Sequence, residues 1–273
     1  MAYVAWGDPD APVVLCVHGL TRNGRDFDTM AGALADRFRV ICPDLPGRGA
    51  SDWLPDPMLY QAQHYVTALA HLLTVIDRKV AWVGTSLGGV CGMVIAAMPG
   101  NPIRTLVLND VGPFISASAL NRIRADMIAT DGRQSVNRFS SLDAIECHLR
   151  RIHAAFGPLT DAQWAHLARV SARPGPDGSW ALHHDPAIVA PLRAHSVQPV
   201  DLWPLWPRIT APVLAIRGAN SDVLMPDTLS RMAASGAEVL TIPHAGHAPT
   251  LMDGAQIEAI RAFLSRPGAG RGA

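Results

Sequence analysis

The sequence predicts an α/β protein with a doubly wound, mostly parallel sheet and a helical insertion before its last two strands. Short apolar runs alternate with helical patterns along the chain, which is typical of this class. The strand candidates are continuous apolar runs, as expected for strands that helices cover on both faces. The alternation stops between about residues 115 and 205, where only helical patterns occur.

Four strands and two helices are predicted before the insertion. The strands lie in APVVLCVHG, in DRFRVICPDLPGRGASD, in KVAWVG and in IRTLVLNDVGP. An amphipathic helix is predicted in LYQAQHYVTALAHLLTVID, because its apolar residues recur every three or four positions. The segment LGGVCGMVIAAMPG predicts an apolar helix that Pro99 and Gly100 end.

The rest of the chain completes the predicted domain organisation. Helical patterns fill the insertion, and two strands follow it in APVLAIRG and AEVLTIP, with a closing helix in GAQIEAIRAFLSR. We therefore expect a core formed by residues 1–114 and 207–265, and a helical lid of residues 115–206 over the carboxyl edge of the sheet. Residues 266–273 are predicted to be a disordered tail.

Composition narrows the class of partner. The 273 residues carry 23 Lys and Arg against 23 Asp and Glu, so charge favours neither nucleic acid nor an anionic membrane. No apolar run is long enough for a membrane span, and the start does not resemble a signal peptide. The four cysteines have no paired spacing, which predicts reduced thiols in a cytoplasmic protein. Whether the chain forms a homo-oligomer stays open.

The segment GTSLGG at positions 84–89 is the strongest chemical signal. It fits the pattern G-x-S-x-G and stands directly between a predicted strand and a predicted helix, which is the context of a nucleophile elbow. Ser86 is therefore the candidate nucleophile. The N–H of Leu87, at the start of the helix, is expected to face an oxyanion formed on attack.

A serine hydroxyl needs a base, and the base needs an orienting acid. We predict His247, in the loop after the last strand, as the base, in preference to His244. Asp222, in the loop after the preceding strand, is predicted to hold the histidine. Asp110, which also ends a strand, is the alternative acid.

The loop after the first strong strand is expected to supply the second oxyanion donor. The segment VHGLTRNGRDF places the N–H of Leu20 where it can face Ser86, with His18 in a structural role. No cofactor and no metal site are predicted. The adjacent His183 and His184 lack metal-binding spacing and are expected to form a surface pair.

At this point the chain resembles the lid-bearing serine hydrolases of the α/β-hydrolase fold superfamily, in the carboxylesterase and meta-cleavage product hydrolase group. The resemblance rests on VHGL with DLPGRGASD, VGTSLGG, LVLNDVGP, RGANSD and IPHAGHAP. It implies a catalytic triad of Ser86, Asp222 and His247, with oxyanion donors at Leu20 and Leu87. A serine at position 86 disfavours the haloalkane dehalogenase and epoxide hydrolase members, which have an aspartate there.

These features predict a serine hydrolase that cleaves small-molecule carboxylic esters of small to medium acyl chain through an acyl-enzyme. Carbon–carbon bond hydrolysis of meta-cleavage products and lactone hydrolysis are the alternatives. The substrate of the first alternative is an anion, so Arg22, Arg122 or Arg193 would be expected in the pocket. A remote alternative is a non-catalytic binding protein on the same scaffold.

Overall fold

The computed structural model describes residues 1–131 and 138–266. Its strands, in chain order, are β1 (Tyr3–Trp6), β2 (Val13–Val17), β3 (Arg39–Pro43), β4 (Val80–Thr85), β5 (Ile103–Asn109), β6 (Phe114–Ile115), β7 (Ala172–Pro174), β8 (Trp180–Leu182), β9 (Val200–Asp201), β10 (Val213–Gly218) and β11 (Glu238–Ile242). Its α-helices are α1 (Asp28–Leu34), α2 (Ala62–Ile76), α3 (Leu87–Ala96), α4 (Ala117–Asp131), α5 (Leu142–Ile152), α6 (Asp161–Ser171), α7 (Ala190–Ala194), α8 (Pro226–Ala234) and α9 (Gly254–Leu264). Short 3-10 helices span Gly24–Phe27, Pro57–Leu59, Ala154–Phe156, Pro186–Val189 and Trp206–Arg208.

Seven strands of the described chain form the central sheet, in the order β1-β3-β2-β4-β5-β10-β11. Every neighbouring pair is parallel except β1 and β3, which are antiparallel. The predicted α/β class with a mostly parallel sheet is confirmed. Strand β1 was not predicted, because it is a short, partly exposed edge strand without the continuous apolar run of its neighbours.

The core lies on both faces of this sheet, which explains the continuous apolar strands. In β2, Val13, Leu15 and Val17 pack in one cluster. The alternate residues Val14 and Cys16 pack in a second cluster. Because successive side chains of a strand point to opposite faces, a strand covered on both faces must be apolar at every position.

The segment predicted as the lid contains helices α4 to α7, but also four short strands where none was expected. Strand β6 pairs with β9, and β7 pairs with β8. These pairs have two or three residues per strand, too few for a sequence period to show. Ile145, Leu149, Trp164 and Leu167 form most of a separate small core between α5 and α6.

Hydrogen bonds join this segment to loops of the sheet. The amide of Asn23 donates to the carbonyl of Val170 at 2.6 Å, and the hydroxyl of Tyr60 donates to Asp185 at 2.7 Å. The N–H of Gly246 donates to the carbonyl of Ala155 at 2.6 Å.

Of the predicted tail, residues 267–273 lie outside the described residues. No described helix combines the length and the apolar character needed to cross a bilayer.

Helix α2 offers a test of the core on one face of the sheet. Leu69 is fully buried and Val75 is 71% exposed on the same helix. We expect Leu69→Ala to lower the free energy of unfolding by about 2–5 kcal/mol, since it leaves a cavity. The matched substitution Val75→Ala is expected to change it by less than about 0.5 kcal/mol. Urea denaturation measures both, and equal effects would show that α2 does not cover the sheet in this orientation.

Candidate active site

Ser86 sits in a sharp turn between β4 and α3. Its backbone has a φ of 51°, in the region that favours glycine. A Cβ on Gly84 would lie 2.5 Å from the backbone of Gly88, and a Cβ on Gly88 would lie 2.0 Å from the carbonyl oxygen of Val17. Because these contacts leave no room for side chains, glycine is required at both positions. The helix therefore approaches the strands closely, and Ser86 stands at the carboxyl edge of the sheet.

His247 lies in the loop after β11, which is three strands along the sheet from β4, and its imidazole contacts Ser86. Its Nε2 lies 2.9 Å from Ser86 Oγ. Its Nδ1 lies 2.7 Å from Asp110 Oδ2. Since a carboxylate only accepts hydrogen bonds, Nδ1 carries the proton and Nε2 is left to accept from the serine hydroxyl.

Asp110 follows β5, the strand next to that of Ser86, and is fully buried. Its Oδ1 accepts from the N–H of Gly218 at 2.8 Å, and its Oδ2 accepts from the hydroxyl of Ser221 at 2.6 Å. With His247, three donors therefore surround the carboxylate. Hydrogen bonds of this kind stabilise the charged form in a buried place.

The expectation that Asp222 holds the histidine is not met. Asp222 forms a two-pronged ion pair with Arg122 of helix α4, at 2.5 and 2.7 Å, while the carboxylate bonded to His247 is that of Asp110. The adjacent Ser221 is buried, and its hydroxyl is bonded to Asp110. The next side chain, that of Asp222, is 48% exposed. Asp110, the alternative acid, takes the place beside His247.

The arginine partner also affects the carboxyl group of Asp222. Hydrogen bonds from Arg122 hold the pKa of Asp222 below its usual range. The side chain is 48% exposed, so the ion pair adds little to stability. Its position links the lid segment to the loop after β10.

The loop after β2 passes beside the serine. A Cβ built on Gly19 would lie 3.7 Å from the Cβ of Ser86. Leu20 and Leu87 both line the cavity at Ser86. Leu87 is the first residue of α3, so its N–H has no carbonyl partner within the helix. The two residues predicted as oxyanion donors thus flank the serine.

His18 fixes the peptide that carries the Leu20 N–H. The N–H of Leu45 donates to Nε2 of His18 at 2.9 Å, so Nδ1 carries the proton and donates to the carbonyl of Gly19 at 2.7 Å. The guanidinium of Arg48 donates to the next carbonyl, that of Leu20, at 2.9 Å. The carbonyls of Gly19 and Leu20 are therefore both fixed by hydrogen bonds. These bonds also fix the direction of the Leu20 N–H, which lies in the peptide group between them.

Burial lowers the pKa of His18 to about 3, and the charges of Arg48 and Arg22 add to this effect. The imidazole is therefore neutral in the folded protein near pH 7. Neutrality suits its role, because Nε2 must accept while Nδ1 donates.

A cavity of about 560 Å³ opens above Ser86, between the sheet edge and the lid segment. Apolar side chains line much of it, including Ile115, Leu120, Ile123 and Met127 of the lid segment. Arg22 and Arg122 also line it, together with Asp26 and Asp126. Arg193, the third arginine considered from the sequence, is exposed and is not among the lining residues.

The prediction of a surface histidine pair is wrong. His183 and His184 are each 5% exposed and line the same cavity. They follow β8, and the N–H of Gly49 donates to Nδ1 of His183 at 2.8 Å. The contact with this core loop buries the pair, and local sequence spacing carries no signal of it.

Fold and site together define an α/β protein with a serine, histidine and aspartate in hydrogen-bond contact at the carboxyl edge of its sheet. The chain belongs to the alpha/beta hydrolase family, whose pattern matches residues 14–260. It is a hydrolase of that family, as the resemblance noted from the sequence implied.

Two relatives and one solved structure are similar to the chain over most of its length. The chain is 42% identical to a 3-hydroxybutyrate-oligomer hydrolase of Cupriavidus necator, over 97% of this chain and 92% of that protein. It is 30% identical to a 2-(acetamidomethylene)succinate hydrolase of Mesorhizobium japonicum, over 86% and 81% of the two chains. The crystal structure of an alpha/beta hydrolase from Novosphingobium aromaticivorans is similar, with 38% identity, a TM-score of 0.84 and coverage of 97% and 93%.

Exchanging each acid for its amide separates the two candidates. We expect Asp110→Asn to slow the reaction of Ser86 with a fluorophosphonate probe by roughly 10³–10⁴-fold, because the amide cannot accept all three hydrogen bonds and favours the wrong histidine tautomer. The control Asp222→Asn weakens the ion pair with Arg122. Its rate of reaction with the probe is expected to stay within about threefold of the rate of the unmodified protein. A larger loss for Asp222→Asn than for Asp110→Asn would contradict the observed contacts.

The buried neutral His18 predicts a dependence of stability on pH. Its pKa is lower in the folded than in the unfolded protein, so the unfolded chain binds the extra proton below about pH 6.5 and stability falls as the pH decreases. One such group contributes up to about 1.4 kcal/mol per pH unit. Between pH 6.5 and 5, we expect His18→Gln to reduce the slope of unfolding free energy against pH by approximately that amount. Urea titrations across the range measure it.

Helix α2 supplies the control for this measurement, because it carries the exposed His71. His71→Gln is expected to keep the slope of the unmodified protein. An unchanged slope in His18→Gln would show that His18 takes up its proton in the folded state.

Proposed function

We propose that the protein is a serine esterase that hydrolyses small to medium carboxylic esters through an acyl-enzyme. One observation carries the proposal, namely the continuous contact from Ser86 Oγ through His247 to Asp110, at 2.9 and 2.7 Å, on the wall of the cavity. In this mechanism His247 takes the proton of Ser86 as the hydroxyl attacks the ester carbonyl. Asp110 orients the imidazole and stabilises its charged form.

The amides of Leu20 and Leu87 are proposed to stabilise the oxyanion of the tetrahedral intermediate. Removing one such donor in other enzymes costs about 3–4 kcal/mol of transition-state stabilisation. His247 then donates its proton to the leaving alcohol. Water, activated by the same histidine, releases the acid from Ser86.

The charges around the cavity favour an ester without extra negative charges. Arg22 donates to Asp26 at 2.7 and 2.6 Å. Arg122 is paired with Asp222 and also donates to Asp126 at 3.1 Å. Both arginines are thus already compensated, whereas the anionic diketo acid of the carbon–carbon alternative is expected to need a cation in the pocket. This supports ester cleavage over the carbon–carbon alternative.

Similarity to the Cupriavidus necator relative narrows the substrate further. Units of a hydroxy acid oligomer are joined by ester bonds, so an oligomer hydrolase of this kind is an esterase. The cavity, at about 560 Å³, is within the usual range for small-molecule sites. We infer that short hydroxyacyl esters are the favoured substrates. In this proposal the lid, residues 115–206, forms an apolar wall of the cavity.

The four cysteines are free thiols, which supports a cytoplasmic location.

Replacing the serine tests the mechanism. We expect Ser86→Ala to lower kcat for p-nitrophenyl butyrate by at least about 10³-fold and to abolish labelling by the fluorophosphonate probe, since no other group supplies the nucleophile. The control is Ser265→Ala, an exposed serine at the end of α9. Turnover that persists in Ser86→Ala would reject Ser86 as the nucleophile. A panel of esters, lactones and ring-cleavage diketo acids then compares the reaction classes.

A further inference from the structure

Two buried polar side chains on the cavity wall have hydrogen-bonding atoms that the described residues do not satisfy. Ser171, the last residue of α6, is 1% exposed, and no described residue bonds its Oγ. His183, directly after β8, is 5% exposed, and its Nε2 likewise has no partner in the described chain. Both residues line the cavity that holds Ser86. Buried polar groups are nearly always paired, so two unpaired neighbours at a ligand cavity call for an explanation.

The two residues face each other across a hairpin. Strands β7 and β8 pair Ala172 with Leu182, and one step further the N–H of His183 donates to the carbonyl of Ser171 at 2.8 Å. Side chains of residues directly opposite in an antiparallel pair lie on the same face, close together. Ser171 and His183 therefore form one local polar site, which we call the hairpin subsite.

The protonation of His183 follows from its other contact. The N–H of Gly49 donates to Nδ1 at 2.8 Å, so Nδ1 is the acceptor and Nε2 carries the proton. Burial holds the pKa of His183 well below its ordinary value, and the neighbouring His184 and Arg22 act in the same direction. The ring is thus a neutral donor, and the hydroxyl of Ser171 can both donate and accept.

Both arginines among the described residues of the cavity lining, Arg22 and Arg122, are paired with aspartates. Arg22 acts on His183 and forms a two-pronged contact with Asp26. Arg48 also acts on His183, but it does not line the cavity and donates to the carbonyls of Leu20 and Pro46 and to the hydroxyl of Tyr65. A carboxylate at the hairpin subsite would meet two neutral donors and a compensated arginine. These contacts do not offset the free energy that a carboxylate loses on leaving water. An uncharged hydroxyl or ester carbonyl oxygen loses less on leaving water and gains the same hydrogen bonds.

We propose that Ser171 and His183 form a specificity subsite that binds an uncharged oxygen on the acyl chain of the substrate, such as the hydroxyl of a 3-hydroxyacyl ester or the carbonyl of the next ester unit. This inference rests on the proposed function and names the substrate class of the same site. It explains why an apolar cavity keeps two polar side chains at a position remote from Ser86 in sequence. A plain acyl ester leaves these groups unsatisfied, so the enzyme discriminates against it.

The test compares three methyl esters that differ in one group: methyl 3-hydroxybutyrate, methyl butyrate and monomethyl succinate. We expect the unmodified enzyme to have the highest kcat/KM for the hydroxy ester. In Ser171→Ala, the ratio of kcat/KM for the hydroxy ester to that for methyl butyrate is expected to fall about tenfold. This substitution removes an atom without a described protein partner, so the fold is expected to persist.

His183→Leu is the second variant, and it is expected to lower the same ratio. It also loses the bond from Gly49, so a thermal melt accompanies it and Ser171→Ala carries the conclusion if it unfolds. The matched control is Ser118→Ala on helix α4, where the serine is exposed. The control is expected to keep the ratio of the unmodified enzyme.

The outcomes separate this inference from the proposed function. Equal kcat/KM for the hydroxy and plain esters, or an unchanged ratio in Ser171→Ala, overturns the hairpin subsite while leaving the esterase intact. Preference for monomethyl succinate that Ser171→Ala abolishes overturns the choice of an uncharged oxygen. Absence of any ester turnover together with absence of fluorophosphonate labelling overturns the proposed function itself.

Discussion

The positions of the loops that form the candidate active site at the sheet edge depend on the hydrogen bonds of one buried carboxylate, that of Asp110. Asp110 follows β5 and accepts hydrogen bonds from Gly218 at the end of β10, from Ser221 in the loop after it, and from His247 after β11. The loops after β10 and β11 are thus tied to the loop after β5 by one carboxylate. Leaving such a charge buried without its donors is costly, so the loops and the carboxylate stabilise one another. The position of His247 relative to Ser86 follows from this arrangement.

A neighbouring residue extends the same constraint to the nucleophile. The amide of Asn109 donates to the hydroxyl of Thr85 at 3.0 Å and to the carbonyl of Pro249 at 2.7 Å. Thr85 precedes the serine and Pro249 lies in the loop of His247. The carbonyl of Asn109 also accepts from the N–H of Ser86 at 3.0 Å. The end of β5 therefore positions both the serine and the histidine loop, in addition to supplying the acid.

These contacts show which features a sequence can predict. The elbow at Ser86 is local, because glycines, strand and helix all lie within a few residues, so its pattern predicts its structure. His247 is predicted because the last parallel strand must end at the same edge. The choice between Asp110 and Asp222 is different, since both follow strands at that edge. It depends on the direction of each side chain, which Ser221 and Arg122 set through contacts made only after folding. The same reason accounts for the burial of His183, which a contact with the distant Gly49 accompanies.

The cavity combines two kinds of polar group, and the difference between them bears on substrate choice. Arg22 and Arg122 of its wall are each paired with aspartates, so neither offers an uncompensated positive charge to an anionic substrate. The hairpin subsite has the opposite character, being uncharged and unsatisfied within the described chain. A charged group loses more hydration free energy on burial than a hydroxyl or ester carbonyl does, so it needs several donors or an opposite charge, whereas the uncharged oxygen needs only a hydrogen bond. On our proposal, a cavity with compensated arginines and unsatisfied neutral donors selects uncharged acyl chains that carry an oxygen, because a plain acyl chain leaves those donors unpaired.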